Sequence, residues 1–313
     1  MPWWFFRRRR APAAAAGLTG ATPSASGRQP GEGALPRLQG NRRYLHEQPY
    51  LLPKDLGEVN RLDFQHYVLR SLLRGNYLAP ITQPRRILDV GCGTGQWAFE
   101  LAQQFPQADV IGLDLEQVKI TSTPPANFRF VQSNALQGLP FESDSFDFVH
   151  QRLLILAVPV SAWPGLIQEL ARVTAPGGWV ELVETSTMQD FTPAGPATRA
   201  FYQLGSPLAA MRGLDIEGIV LRSLERYLAE AGFINIQRQL IEAPLGDWGG
   251  RLGSLLALDI REASKAVCGP IAALTHRPEQ EVLDLLERAS QEWNTLQTRC
   301  PFVVVYGQKP ARS

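Results

Sequence analysis

The sequence predicts an α/β fold in which a doubly wound, mostly parallel sheet of seven strands carries helices on both faces. Two observations support this prediction. Between residues 85 and 185, short apolar runs alternate with longer segments of helical periodicity. A glycine-rich turn, GCGTG at 91–95, follows the first apolar run directly. Helices of this length are the usual crossovers between parallel strands.

The elements follow from these patterns in chain order. The first five predicted strands are RRILDV (85–90), ADVIGLDL (108–115), NFRFVQSNA (127–135), SFDFVHQR (145–152) and WVELVET (179–185). The predicted helices among them are QWAFELAQQFP (96–106) and WPGLIQELARVTAPGG (163–178), which both end at proline or glycine. Upstream, apolar residues at helical spacing predict a helix over residues 56–74.

The rhythm changes after Thr185. The patterns predict a helix over 214–233, a strand over 234–246, a mostly helical insertion over 251–298 and a last strand over 301–309. We expect residues 41–313 to form one domain. Its expected parts are an N-terminal lid at 41–84, a core at 85–185, a region with a helical cap at 186–300 and the last strand at 301–313.

Composition and charge exclude several classes of protein. Of the 313 residues, 44% are hydrophobic and 19% are charged, and the net charge is +1. This balance is typical of a soluble globular protein and gives no argument for nucleic acid, membrane insertion or a particular oligomeric state. The three cysteines form no CxxC pair and the four histidines no HxxxH pair, so neither a disulfide framework nor a metal site is predicted. Free thiols fit a reducing, cytoplasmic setting.

The first 40 residues differ from the rest of the chain. Residues 1–43 hold eight arginines and one glutamate among many small residues. This composition predicts a disordered basic tail over residues 1–40. The alternative is a foot on a membrane surface, in which Trp3, Trp4, Phe5 and Phe6 enter the interface and the arginines bind anionic lipid.

The turn GCGTG brings the backbone close to a bound ligand, since it joins a strand to a helix. A nucleoside triphosphate is excluded, because Gln96 and Trp97 stand where a P-loop needs lysine and then serine or threonine. A dinucleotide fits less well, because Gln96 replaces the third glycine of its fingerprint and Asp89 places negative charge before the turn. S-adenosylmethionine has cationic ammonium and sulfonium groups and no phosphate, so it fits best.

A second carboxylate supports a nucleoside. Asp114 ends the second predicted strand, 19 residues after Gly95. An acid at this spacing typically binds the ribose hydroxyls. The alternative is an ordinary turn acid at the end of a strand, but the spacing to the glycines favours the ribose role.

Together these segments resemble the class I S-adenosylmethionine-dependent methyltransferases of small molecules. The segments that carry the resemblance are ILDVGCGTG (87–95), VIGLDLE (110–116), SNALQGLPFESDSFDFVHQR (133–152) and ELARVTAPGGWVELVE (169–184). Three more, YLLPKDLGEVNRLDFQHYVL (50–69), FVHQRLL (148–154) and PLGDWGGRLG (244–253), are similar to LaeA-like methyltransferases of fungal secondary metabolism. The resemblance implies a Rossmann-like fold and S-adenosyl-L-methionine as the cofactor.

The resemblance also implies which residues contact the cofactor. The methionine part would be enclosed by Asp89, Gly91, Cys92, Gly93 and Gly95, and the adenine by Leu115, Asn134 and Ala135. The family usually has aspartate at the place of Asn134, whose carbonyl oxygen can still accept a hydrogen bond from the adenine amino group. Gln151 would lie near the methyl-bearing sulfur, and Tyr50 would close over the cofactor as part of the lid.

Three residues at strand ends are candidates for the acceptor side. His150 would be a base for a hydroxyl acceptor, or would only pack within the fold. Arg152 would hold an acidic acceptor, or would form a salt bridge to a loop acid. Glu184 would face either the acceptor or the solvent.

The region 186–298 is predicted to supply the acceptor pocket, with Trp248 at the start of the helical cap. An apolar cap suits a hydrophobic small molecule, such as a polyketide, quinone or terpenoid. Alternatively, these helices only complete the core. Two functions therefore stay open. One is methyl transfer to a hydrophobic small molecule, and the other is a regulatory protein or protein methyltransferase that acts through protein partners.

Overall fold

The computed structural model describes residues 38–39, 42–43, 56–116, 123–186 and 188–312. The strands in these ranges are β1 (Leu38–Gln39), β2 (Arg42–Arg43), β3 (Arg86–Val90), β4 (Asp109–Asp114), β5 (Phe128–Gln132), β6 (Phe146–Arg152), β7 (Thr174–Thr185), β8 (Ile234–Pro244) and β9 (Arg299–Gln308). The helices are α1 (Leu56–Leu73), α2 (Gln96–Gln104), α3 (Trp163–Val173), α4 (Pro196–Ala210), α5 (Ile219–Glu230), α6 (Gly250–Thr275) and α7 (Glu279–Thr295). The predicted tail, apart from residues 38–39, and Tyr50 lie outside the described residues.

Strands β3 to β9 form one sheet with the order β5-β4-β3-β6-β7-β9-β8. The pairs among β3, β4, β5, β6 and β7 are parallel, whereas β9 is antiparallel to both β7 and β8. The predicted doubly wound, mostly parallel sheet of seven strands is confirmed. The strand order reverses at β3, which pairs with β4 on one side and β6 on the other. Ligands bind at such a switch point, beyond the carboxyl ends of the strands.

Alternate residues of β3 face different helices, which gives the sheet its two covered faces. Leu88 and Val90 belong to the apolar cluster that includes α3 and α5. Ile87 belongs to a second cluster with Trp97 and Leu101 of α2. A third cluster joins α1, α4, α6 and α7 to β7 and β9. The helical insertion before the last strand is confirmed as α6 and α7, which lie between β8 and β9.

Two elements differ from the prediction for local reasons. Helix α3 ends at Val173, and the TAPGG segment belongs to β7 rather than to the helix. Pro176 has no N–H to continue a helix, and Gly177 has a φ of 81°. Helix α4 is absent from the sequence prediction, because Gly205, Ser206 and Pro207 interrupt its helical pattern.

Helix α5 begins at Ile219, later than predicted. The carboxylate of Asp215 accepts hydrogen bonds from the N–H groups of Ile219 (3.0 Å) and Val220 (2.7 Å). It thereby satisfies N–H groups that a helix start leaves without partners, and so fixes where the helix begins. Of the helices within the described ranges, none combines the length and the apolar character that a membrane crossing requires.

Candidate functional site

A cavity of about 150 Å³ lies at the switch point, and we call it the first cavity. Among the predicted site residues, those on its wall are Gly91, Cys92, Gly93, Asp114, Leu115, Asn134, Ala135 and Arg152. Those outside its wall are Asp89, Gly95, His150, Gln151, Glu184 and Trp248. The strand ends thus gather most of the predicted cofactor residues, which lie far apart in the sequence, around one space.

The turn between β3 and α2 presents its backbone to the first cavity. Gly91 and Gly93 have φ angles of 73° and 53°, which glycine adopts most readily. A Cβ on Gly91 would lie 2.6 Å from Leu154 Cδ2, so a side chain there would have to displace Leu154. A Cβ on Gly93 would meet no described atom closer than Leu62 Cδ1 at 3.5 Å, so a larger side chain would extend into the cavity. This bare backbone can accommodate the amino-acid part of S-adenosylmethionine.

The ends of β4 and β5 form the neighbouring part of the wall. Asp114 Oδ2 accepts a hydrogen bond from the Gly93 N–H at 2.9 Å, which ties β4 to the glycine turn. Asn134 Oδ1 accepts from the Leu136 N–H at 3.0 Å and thereby caps a short 3₁₀ turn. A carbonyl oxygen has two lone pairs, so one remains for a ligand. Asp114 and Asn134 therefore bring a carboxylate and an amide oxygen to this part of the cavity wall.

His150 lies inside the fold rather than on the cavity wall. Its side chain is fully buried, and its ring stacks on Trp97 with centroids 3.8 Å apart. His150 Nδ1 lies 3.0 Å from Asp89 Oδ1. Burial lowers the pKa of His150, and the hydrogen bond to Asp89 opposes this shift without reversing it. Of the two roles predicted for His150, this placement corresponds to packing within the fold, since His150 lines neither cavity wall. Its contacts orient Asp89.

Gln151 and Glu184 form a buried pair behind the cavity. Gln151 Nε2 donates to Glu184 Oε1 at 2.7 Å, and the same carboxylate accepts from the N–H groups of Leu154 (2.9 Å) and Ile155 (3.1 Å). Burial raises the pKa of Glu184 to about 8, although these hydrogen bonds act to lower it. Neither side chain lines the first cavity, so Gln151 lies behind its wall rather than on it. Glu184 is fully buried, so it does not face the solvent.

Residues 153–158 form a wall between two cavities, and we call this wall the partition. Glu184 fixes it by accepting the hydrogen bonds from Leu154 and Ile155. A second cavity of about 190 Å³ lies beside the first, and Leu156 of the partition lines both. Most of the second wall comes from the segment after β7, from α4 and from α6. Its larger apolar side chains are Met188, Phe191, Phe201, Leu208, Ile260 and Ile271. The second cavity is therefore strongly apolar and adjacent to the first.

Arg152 reaches the first cavity from the end of β6. Its side chain is half-buried, and it forms no hydrogen bond or ion pair with any residue that the structure describes. Burial lowers the pKa of Arg152, while the nearby carboxylates of Asp89 and Glu100 oppose that shift. The predicted alternative, a salt bridge to a loop acid, is not seen within the described ranges.

Sequence reasoning missed a buried link between α1 and α6. Arg61 and Gln65 of α1 line the first cavity. Arg61 Nη1 donates to Asp259 Oδ1 at 2.6 Å, and Gln65 Nε2 donates to Asp259 Oδ2 at 3.1 Å. The next residue of α6, Ile260, lines the second cavity. Partners 198 residues apart leave no local signal, although Arg61 does stand within the segment similar to LaeA-like proteins.

Trp248 lies away from both cavities. It follows β8, and its Nε1 donates to the Leu245 carbonyl at 3.0 Å. The guanidinium of Arg299 lies 5.2 Å from the centroid of the indole ring. These contacts hold the loop between β8 and α6 together, and Trp248 lines neither of the two cavities.

Known proteins match the chain over most of its length. A family model described as a methyltransferase domain matches residues 87–178. The chain is 32% identical over 286 residues to methyltransferase pytC of Aspergillus terreus, and the match covers 86% of each chain. It is 37% identical over 188 residues to methyltransferase str2 of Strobilurus tenacellus, which covers 59% of this chain and 61% of that one.

Two further similarities concern a regulator and a solved structure. The chain is 34% identical over 233 residues to the secondary metabolism regulator laeA of Aspergillus flavus, which covers 68% of this chain and 59% of laeA. Phosphoethanolamine N-methyltransferase 2 of Haemonchus contortus, solved with S-adenosyl-L-methionine, has a TM-score of 0.46 at 17% identity. That superposition covers 84% of this chain and 54% of the other.

Proposed function

The chain belongs to the class I S-adenosylmethionine-dependent methyltransferases, in their LaeA-like group, and from this premise we propose that it methylates a hydrophobic small molecule of secondary metabolism. S-adenosyl-L-methionine is the cofactor of this family. The observation that carries the proposal is the second, apolar cavity beside the first. Two adjoining cavities of different chemistry suit a polar cofactor and an apolar acceptor.

The first cavity is where we place the cofactor. The backbone of Gly91, Cys92 and Gly93 would border the methionine part, and Asp114 would accept hydrogen bonds from the ribose hydroxyls. The adenine would lie against Leu115, Asn134 and Ala135, which share the same part of the wall. Asp89 and Gly95 contribute by shaping the turn, since Gly95 precedes α2 with a φ of 80°.

The second cavity is where we place the acceptor. Burying an apolar molecule against side chains such as Phe191 and Phe201 contributes roughly 25 cal/mol for each Å² removed from water. The wall also carries a few polar groups, among them the Tyr202 hydroxyl, which donates to Gln189 Oε1 at 2.7 Å. Such a pocket favours an acceptor that is mostly apolar.

Alignment of the two ligands is the main catalytic contribution of this arrangement. The cofactor supplies a methyl group that its positive sulfur already activates. When bound, the cofactor would give up this methyl carbon to the acceptor atom and leave as a neutral thioether. The protein has to hold the acceptor in line and exclude water. Glu184 serves this end, because it fixes the backbone of Leu154 and Ile155 in the partition.

A cavity-filling variant tests the acceptor site. Ala209 lines the second cavity, so Ala209→Trp should block it and abolish transfer of a labelled methyl group to apolar compounds of a cell extract. Affinity for S-adenosylhomocysteine, measured by calorimetry, should stay unchanged. Ala210→Trp is the matched control, because the next residue of α4 is exposed. Full transfer by Ala209→Trp would place the acceptor elsewhere.

A regulatory role is the second candidate, and the similarity to the regulator laeA favours it. In that case the chain would bind S-adenosylmethionine and act through protein partners or methylate a protein. The match covers 59% of laeA but 86% of methyltransferase pytC, which supports methyl transfer as the activity of the chain. Recovery of labelled methyl groups in protein rather than in apolar compounds would reverse this preference.

We also propose a cytoplasmic setting. Cys92, Cys268 and Cys300 are all buried free thiols. Burial raises the pKa of Cys268 and of Cys300 to about 12, so both are protonated and unreactive near neutral pH. Free thiols are typical of a reducing compartment. Fractionation of the cells that make the protein would test this, and recovery outside the cytosol would contradict it.

A further inference from the structure

Arg152 presents a positive charge to the first cavity that no nearby acid neutralises by contact. The other cation on the wall, Arg61, is paired with Asp259 at 2.6 Å. Glu100 lies close enough to act on Arg152 electrostatically, but its oxygens lie 3.2 Å from His66 and 3.1 Å from Arg70. Among the described residues, the guanidinium of Arg152 therefore keeps all its donors available for a ligand.

Asp89 supplies the opposite charge on the neighbouring strand. In the parallel register of β3 and β6, Asp89 pairs with His150 and Val90 with Gln151. Arg152 therefore comes one position after the last pair, beside the start of the glycine turn. Asp89 is buried, and a hydrogen bond from His150 fixes its orientation. The His150 ring is itself held by stacking on Trp97. A fixed anion and an available cation thus flank the turn.

We propose that Arg152 binds the carboxylate of the amino-acid end of S-adenosylmethionine, with Asp89 as the counter-charge for its ammonium group. A guanidinium matches a carboxylate with two parallel hydrogen bonds. The inference rests on the proposed function and deepens it. It also changes the role predicted for Arg152, which moves from the acceptor to the cofactor.

The carboxylate could instead belong to an acidic acceptor, and the position of Arg152 decides between the two sources. Arg152 shares the first cavity with Gly91 and Gly93, where the methionine part is placed. It does not belong to the wall of the second cavity, whose described lining residues are all uncharged. The amino-acid end of the cofactor is therefore the anion that Arg152 can reach.

Two ligands that differ by one group test the assignment. S-adenosylhomocysteine carries the carboxylate, whereas S-adenosyl-3-thiopropylamine keeps the adenosine, sulfur and amine but lacks it. By calorimetry, the wild-type protein should bind the first about 10- to 100-fold more tightly. Arg152→Met should reduce this ratio to near one, mainly by weakening S-adenosylhomocysteine. Arg152→Lys should give an intermediate ratio, because it keeps the charge but loses the paired donors.

Each outcome decides for or against the proposal. Arg226→Met, on the exposed surface of α5, is the control and should leave the ratio unchanged. A ratio in Arg152→Met equal to that of the wild type would overturn the assignment, as would equal weakening of both ligands. If Arg152→Met does not fold, the ratio in Arg152→Lys decides, and a wild-type value would overturn it. Failure of the wild-type protein to bind either ligand would instead refute the proposed function.

Discussion

The two cavities are built in different ways. The first uses strand ends and a glycine turn, and its backbone contacts come from short motifs such as Gly91–Gly93 and Asp114. The second gathers apolar side chains from the partition, from the segment after β7, from α4 and from α6, which are spread over residues 155–271. Backbone conformation imposes specific residue types, whereas an apolar wall accepts many. The residues of the first cavity can therefore be predicted from the sequence, whereas those of the second cannot.

The largest effect on stability is expected at the link between α1, which lines the first cavity, and α6, which lines the second. Asp259 of α6 holds Arg61 of α1, and both side chains are buried. Asp259→Ala would leave the Arg61 charge buried without this partner. It should lower the free energy of unfolding by about 3 to 5 kcal/mol, measured by urea denaturation.

A double variant separates the lost ion pair from lost packing. Arg61→Met combined with Asp259→Leu replaces both charges with apolar groups, so it should recover most of the stability. The same double variant should still bind S-adenosylhomocysteine more weakly, because Arg61 lines the first cavity. Wild-type stability in Asp259→Ala would mean that this ion pair does not couple the two cavities. The contrast between the two cavities would then be greater.

Gly93→Val should damage the cofactor side alone. Valine is strained at a φ of 53°, and its side chain would extend into the first cavity. We expect the Kd for S-adenosylhomocysteine to rise at least ~100-fold, which corresponds to about 2.7 kcal/mol. Gly165→Val on the exposed side of α3 is the control, since no described atom lies within 4 Å of its added Cβ. Equal affinity in the two variants would refute the placement of the cofactor.

The same contrast explains how much of the molecule could be predicted. The order of strands and helices from residue 85 to 185 follows from local periodicity, and the structure confirms it. Gly91, Gly93 and Asp114 were placed by spacing, and all three lie on the wall of the first cavity. A motif defines such positions because the turn needs positive φ and a strand end points toward the switch point.

The positions of His150, Gln151 and Trp248 could not be predicted from the sequence, because they depend on side-chain directions. His150 and Gln151 end β6 as predicted, but both point into the fold, and their partners Asp89 and Glu184 come from other strands. The size of Trp248 and its glycine neighbours favoured a position at the pocket, yet its ring packs against the guanidinium of Arg299. Burial of a strand-end residue depends on the neighbouring strands, which a single segment does not reveal.

Asp114→Ala should also weaken cofactor binding, by an amount similar to or smaller than that expected for Gly93→Val. The substitution removes the carboxylate that accepts from the Gly93 N–H and, in the proposed pose, from the ribose. We expect a loss of roughly 1.5 to 3 kcal/mol in S-adenosylhomocysteine binding, measured by calorimetry. Asp109→Ala, at the opposite end of β4 and half-exposed, should leave affinity unchanged. An unaltered Kd in Asp114→Ala would show that this strand end does not hold the ribose.

The smallest expected effect concerns the partition that both cavities share. Burial raises the pKa of Glu184 to about 8 and that of Glu181, also on β7, to about 7, both from a usual value near 4.5. A raised folded-state pKa gives a stability contribution that is full below pH 4.5 and is lost as the pH rises through the folded value. The free energy of unfolding should therefore fall by about 1 to 2 kcal/mol between pH 6.5 and pH 8.

Between pH 6.5 and pH 8, the effect of the two glutamates on stability can be measured separately from that of His66, a buried histidine of α1. Burial lowers the pKa of His66 from 6.5 to about 4, so its contribution to stability is lost progressively as the pH falls from 6.5 to 4 and is nearly complete above 6.5. Glu184→Gln keeps an acceptor for the Leu154 and Ile155 N–H groups but cannot ionise, so denaturation at several pH values should show a shallower fall. Glu142→Gln, an exposed position, should keep the wild-type slope. A stability that is flat across this window in the wild type would mean that Glu184 is already ionised at pH 6.5, and that water reaches the partition between the two cavities.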